Sequence, residues 1–172
     1  METKGKIIAA ILSVSILANV WGAYHLHTVK QDNQEEMYRL YQNSTIFEGH
    51  LSSAVSSMEN VLVNRSKKPD IKVISSMHTL VFATAGLSYF FDYSAESALG
   101  VQSHLSTTLG LYEKDIYKFY SKAMKGELTD KDWEQLKITT EKLKEITIIL
   151  DRDKLFQADK EELTKLLAQL KD

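Results

Sequence analysis

The segment "DRDKLFQADKEE", residues 151–162, has the most specific spacing of carboxylates in the chain. Four acids match positions 1, 3, 9 and 12 of a calcium-binding EF-hand loop: Asp151, Asp153, Asp159 and Glu162. Leu155 stands where an oxygen ligand is needed, and Phe156 replaces the glycine that makes the sharp turn. We therefore interpret the segment as an acidic connection in which Asp159 caps the last helix, and we expect no bound calcium.

Three histidines, His50, His78 and His104, are each predicted to lie on a different helix. Three imidazoles can hold zinc, but these positions need not share one level of a bundle, so we expect packing or surface roles. The chain has no cysteine, which excludes a thiol nucleophile and iron–sulfur chemistry. It also has no nucleophile elbow, phosphate loop or dinucleotide fingerprint. We expect a non-enzymatic protein with no cofactor and no metal.

Two other groups of residues suit packing and contacts better than catalysis. Aromatic side chains cluster at the end of a predicted helix, at Tyr89, Phe90, Phe91 and Tyr93. Such clusters anchor interfaces, or alternatively plug the end of a core. Small residues recur at helical spacing in two stripes, which would let helix backbones approach closely: Ser76, Thr79, Ala83 and Gly86, then Gly100, Ser103, Thr107 and Gly110.

The elements that must position these residues are helices, because strand-period alternation is missing. A heptad pattern covers residues 31–65. One of its two seam positions holds Met37, Ser44, Leu51 and Met58, and the other holds Leu40, Phe47, Ala54 and Val61. Further helices are predicted from Asp70 to Phe91, from Asp92 or Ser94 to Lys125 with Gly126 as its C-terminal cap, and from Thr129 onward. Thr129 and Asp132 have the spacing of a capping box. The predicted fold is all-α: an antiparallel four-helix-type bundle over residues 31–172 with a short extra C-terminal helix.

An N-terminal transmembrane helix is predicted to precede the bundle. Lys4 and Lys6 lie before an uncharged run at residues 7–27, and Trp21 and Tyr24 lie at its far end. About 20 apolar residues span a bilayer, and the basic residues favour a cytoplasmic N-terminus. We therefore predict a cytoplasmic tail at residues 1–6, a single-pass anchor at 7–27 and an extracytoplasmic bundle. The alternative is a cleaved signal peptide, which the bulky Trp21 disfavours.

A second uncharged stretch, residues 73–91, is also long enough to cross a membrane. Arg65, Lys67, Lys68 and Lys72 precede it, and a second span would place these cations on the outer side. That arrangement inverts the usual distribution of basic residues. We interpret the stretch as an interior helix of the bundle, part of whose apolar surface is exposed to a partner.

The net charge of −2 disfavours nucleic-acid binding, which needs a basic surface. A membrane span, a long helix and a bundle together resemble the periplasmic four-helix sensor modules of bacterial receptors. This chain lacks their second span and cytoplasmic output domain, so the resemblance is architectural and implies little about activity. We predict an adaptor or regulator of the bacterial cell envelope whose bundle binds a protein partner or a second copy of itself. The alternative is a ligand-sensing bundle with a pocket lined by Ser, Thr and His.

Overall fold

A computed structural model of the protein describes residues 2–65 and 69–170, with side chains from residue 19 onward. Its described part is helical, with no strand, as the sequence predicts. Six helices follow one another in the described part: α1 Glu2–Val63, α2 Ile71–Leu99, α3 Leu105–Lys125, α4 Asp130–Ile149, α5 Arg152–Gln157 and α6 Lys160–Ala168.

The C-terminal half of α1 is the central element of the bundle. Both seam positions of the predicted heptad are buried from Leu40 to Val61, and Met37 is half-buried at the edge of the core. Seven-residue spacing keeps these side chains on one side of a helix, so a single stripe can face the interior of the bundle. The prediction of a long amphipathic helix ending in the polar segment before Pro69 is confirmed.

The four long helices pack as a ring in which α1 contacts α2 and α4, and α3 contacts the same two helices. Arg65, just past the end of α1, pairs with Asp130 at the start of α4. At the other end of α4, the backbone N–H of Arg152 donates to Glu48 at 3.3 Å. Helix α4 therefore runs antiparallel to α1, and the predicted helical bundle is confirmed.

The predicted break between the second and third helices is wrong. The polar "DYSAES" segment continues α2 to Leu99, and the helix ends at Gly100, whose φ is +73°. Gly100 adopts this left-handed conformation without the steric cost of a Cβ. Asp92 is not the cap of a helix that begins beside it, because its carboxylate accepts from Leu105 N at 2.9 Å and Ser106 N at 3.0 Å. It therefore caps α3 from thirteen residues away.

The acidic connection after α4 contains a helix that the sequence did not predict, α5. Asp151 caps α5 by accepting from Lys154 N, and Asp159 caps α6 by accepting from Glu162 N, both at 2.9 Å. Leu155 is fully buried in the core. These carboxylates therefore satisfy helix N-termini instead of converging on a cation, and the predicted capping role of Asp159 is confirmed.

The structure does not support the predicted transmembrane anchor at residues 7–27. The side chains of residues 1–18 lie outside the described part of the chain, while the backbone of residues 2–27 belongs to α1. Among residues 19 onward, whose side chains are described, one helix is long and apolar enough to cross a bilayer, and it is α2. A core helix of a soluble bundle has the same length and composition, so this property does not establish a span.

Candidate functional site

Helix α2 exposes four aromatic side chains, Phe82, Tyr89, Phe90 and Tyr93, which we call the α2 aromatic face. Each of them is between 57% and 66% exposed. The rings of Tyr89 and Phe90 lie edge to face, with centroids 6.1 Å apart. Residues 73–91 contain no charged side chain, and the exposed residues of α2 from Phe82 to Tyr93 are aromatic apart from Gly86 and Leu87. Contiguous apolar surface of this kind is typical of contact sites.

The opposite side of α2 belongs to the core. Ile74, Met77, Val81 and Phe91 are fully buried there. The ring of Phe91 packs against Phe47 of α1 with centroids 5.9 Å apart. Phe91 is therefore removed from the predicted set of contact residues, because its side chain fills the interior. Tyr89, Phe90 and Tyr93 stay candidates, and their role in contacts remains a prediction.

The two predicted stripes of small residues do not face each other within the chain. On α2, Ser76, Thr79 and Gly86 are exposed and Ala83 is half-buried. A Cβ added to Gly86 would meet no neighbouring atom within 4 Å. These α2 residues therefore do not let two helix backbones approach closely inside the bundle. Contact with another chain remains a prediction for them.

The second stripe is divided between a turn and a helix. Gly100 and Ser103 lie in the turn after α2, and Ser103 is buried, where its hydroxyl donates to Asp92. Thr107 is exposed on α3 and Gly110 is half-buried there. A Cβ on Gly110 would also meet open space. These four residues therefore do not form one helix surface.

The three histidines are separated by the fold. His78 Nε2 lies 2.8 Å from a carboxylate oxygen of Glu113 on α3, and His50 Nδ1 lies 3.4 Å from the hydroxyl of Thr84. His104 is not on a helix, because it precedes α3 with a φ of +55°. Across the described residues, no three histidine or carboxylate side chains come together as a metal site.

Aromatic rings surround His78. The ring of Tyr117 lies 5.5 Å from the imidazole, and Phe82 and Tyr120 lie 6.1 and 6.2 Å away. With the Glu113 contact, this arrangement ties α2 to α3 beside the α2 aromatic face. The sequence pattern did not single out Glu113. Its place on the predicted third helix was the one feature that could have suggested a contact with the second helix.

A long surface depression that the sequence did not predict runs along α1, and we call it the α1–α5 trough. It extends from Leu26 to Ile46 on α1 and is bordered by Phe156 of α5. Tyr41 and Phe156 meet in its middle, with ring centroids 4.4 Å apart. Burial raises the pKa of the Tyr41 hydroxyl above its ordinary value, at which the group is already neutral at physiological pH. The available signal was the pair Leu26 and Val29, apolar residues at the end of the predicted span and just beyond it.

Comparison with known proteins adds no family: no family model, no curated protein and no solved structure matches this chain.

Proposed function

We propose that this chain is a non-enzymatic, single-pass membrane protein that binds a protein partner through the α2 aromatic face. In this proposal residues 7–27 anchor the chain, and the bundle lies outside the cytoplasm and acts as an adaptor or regulator at the cell envelope. The observation that carries the proposal is the exposure of Phe82, Tyr89, Phe90 and Tyr93 on one charge-poor helix. Aromatic residues dominate the binding energy of many protein interfaces.

The support for this face comes from a contrast within α2. Phe90 is 60% exposed while its neighbour Phe91 is fully buried. The core therefore does not need Phe90, Tyr89 or Tyr93 to fill it, and these large rings are left in water. Transferring such surface out of water is favourable by roughly 25 cal/mol per Å². A partner that covers the face gains this contribution without disturbing the bundle.

The test is site-specific photocrosslinking of the full-length protein in its native membrane. A photoreactive residue at position 90 should give one discrete crosslinked product, and its mass identifies either another protein or a second copy of this chain. The same group at position 148 is the control, because Ile148 on α4 is 52% exposed.

The combined variant Tyr89→Ala and Tyr93→Ala should lower the yield from position 90 by about tenfold or more, since interface aromatics commonly contribute at least that much. Ile138→Ala with Ile148→Ala is the matched control on α4, and it should leave the yield unchanged. The same products from positions 90 and 148, or an unchanged yield in the α2 variant, would contradict the proposal.

A second candidate function, ligand sensing, is favoured by a groove of about 580 Å³ beside α2 and α3. Its polar lining includes Lys72, Ser75, Thr79 and Tyr120, which matches the Ser and Thr of the predicted pocket but not its His. This volume lies within the range of small-molecule sites, about 300–1,000 Å³. A ligand-dependent rise in unfolding temperature that is lost in Thr79→Val would favour this function over partner binding.

A further inference from the structure

The lining of the α1–α5 trough changes from apolar to polar along its length. The part lined by Leu26, Val29, Met37 and Phe156 is a groove of about 700 Å³. The adjoining part, about 510 Å³, continues past Tyr38 and Tyr41 and reaches polar side chains and one cation at its far end: Gln42, Asn43, Thr45 and Arg152. The two parts are adjacent, because Tyr38, Tyr41 and Phe156 line both of them.

The length of the trough suits an extended chain. Leu26 and Ile46 are twenty positions apart on one helix, which corresponds to about 30 Å at 1.5 Å per residue. One acyl chain reaches across half of a bilayer's hydrocarbon core, or about 15 Å. The trough is therefore long enough for one acyl chain and leaves room for a polar head group beyond it.

The charges in the trough favour an anion at its polar end. Arg152 lies at that end, with its guanidinium carbon 5.8 Å from the centre of the Phe156 ring. Within the described residues, Arg152 makes no ion pair with a carboxylate, and neither does Lys30 on the trough's apolar part. By contrast, Arg39 is occupied by Glu35 at 2.7 Å and by Glu36 at 3.1 Å.

The acids of α1 do not line the trough, although Glu48 lies beside its polar end, where its carboxylate accepts from the backbone N–H of Arg152 at 3.3 Å. Asp32 and Glu35 line neither part of the trough, and Glu36 faces α2, where it accepts from the Ser94 hydroxyl at 2.8 Å. An unpaired guanidinium next to amide and hydroxyl groups binds a carboxylate by charge-assisted hydrogen bonds. The neighbouring apolar length binds a chain that brings no charge of its own.

From this geometry we propose that the α1–α5 trough binds a long-chain carboxylate amphiphile, such as a free fatty acid. Its carboxylate lies at Arg152, near Asn43 and Thr45, and its acyl chain extends past Tyr41 and Phe156 toward Leu26. The proposal depends on the described part of the trough and not on the α2 aromatic face, so the two proposals can fail separately.

The experiment uses the full-length protein in nanodiscs of zwitterionic phosphatidylcholine and a photoreactive fatty acid as the probe. After irradiation, labelled peptides are identified by mass spectrometry. We expect labelling to saturate and to map to residues 26–46 and 152–156. Dodecanoate should compete with the probe, whereas uncharged methyl dodecanoate of the same chain length should compete about tenfold less well, because it cannot form the charge-assisted hydrogen bond.

Two variants test the two ends of the trough. Arg152→Gln should lower the affinity for the probe about tenfold by removing the cation. Val29→Asp should weaken labelling of residues 26–41 by placing a charge beside the acyl chain. Arg39→Gln is the matched control and should label like the wild type, since its guanidinium is outside the trough and already paired. Circular dichroism establishes that each variant is folded.

Labelling that does not saturate, or equal affinity in Arg152→Gln and Arg39→Gln, would overturn the proposal. Equal competition by dodecanoate and its methyl ester would also overturn it, because the trough would then bind apolar chains without distinguishing a carboxylate from an uncharged ester. If the trough is protected from the probe and crosslinks to a second copy of the chain, its occupant is that copy and the proposal is wrong.

Discussion

At the scale of single residues, Asp132 shows how one carboxylate joins two helices. It accepts from Lys122 Nζ on α3 at 2.6 Å, and from the backbone N–H and the hydroxyl of Thr129 at 2.9 and 2.6 Å. The hydrogen bond from Lys122, followed by the one from Thr129, lowers the pKa of Asp132 to about 2 from 3.8. The capping box that the sequence predicts at Thr129 and Asp132 is confirmed.

This lowered pKa makes a prediction about stability and pH. Its contribution to the free energy of unfolding is fully present above pH 4 and is lost as the pH falls through 2, because the folded state holds the charged form. One pKa unit corresponds to about 1.4 kcal/mol, and solvent screening near the surface reduces the contribution at neutral pH to about 1–2 kcal/mol. Urea unfolding of the wild type and Asp132→Asn should show a difference near this size at pH 7 that shrinks between pH 4 and 2. A difference that stays constant over that range would contradict the assignment.

At the scale of elements, Asp92 decides how α2 connects to α3. The residue before α3, His104, has no side-chain hydrogen bond to the helix. Asp92 supplies the missing acceptor from within α2 by binding Leu105 N and Ser106 N, and its carboxylate also accepts from the hydroxyls of Ser103 and Ser106. The turn at residues 100–104 is thus fastened to the helix that precedes it.

Replacing Asp92 therefore has a defined cost. Asp92→Asn removes the charge and one acceptor oxygen, so we expect a loss of about 1–3 kcal/mol in the free energy of unfolding. Chemical denaturation followed by the helical signal is the measurement. Glu96→Gln, at an exposed position one turn further along α2, is the matched control and should change stability by no more than about 0.5 kcal/mol. Similar effects in both variants would show that the cap does not stabilise the turn.

At the scale of the whole molecule, the bundle covers only part of α1. Ser94 of α2 binds Glu36, so α2 reaches this level of α1, and residues 23–27 before it are exposed. The exposed Trp21 stacks on His25 in this stretch, with ring centroids 5.5 Å apart. A single helix projecting from a bundle in this way needs a further environment for its apolar residues, either a bilayer, a second chain or an amphiphile.

A membrane fractionation distinguishes the two helices that are candidates for a span. If residues 7–27 are the anchor, the full-length protein should stay in the membrane through a high-salt wash and be released by detergent. A variant that lacks residues 2–27 should then appear in the soluble fraction with its helical content intact. If this variant remains in the membrane instead, the element that enters the bilayer is α2, and the topology proposed above is wrong.

The prediction of an all-helical bundle depended on patterns that lie within a few positions of one another. The heptad of α1, the capping box at Thr129 and the C-terminal glycine of α3, Gly126, each act over one or two helical turns. A periodic stripe of apolar residues must be buried wherever the helix packs, so these features follow from the order of residues. When a helix is apolar on all sides, no such local pattern indicates which of its faces points into the core.

Tertiary structure alone decided the features that bring distant residues together. Phe90 and Phe91 have the same side chain, and only the packing of α2 against α1 leaves one in water and buries the other. Asp92 suggested a helix boundary because acids cap helices locally, but the fold gave its carboxylate a partner thirteen residues away. The α1–α5 trough likewise needs Phe156 beside Tyr41. Sequence determined that the chain forms long helices, and the packing between them determined where some of those helices end and which surfaces remain open, because both depend on neighbours far along the chain.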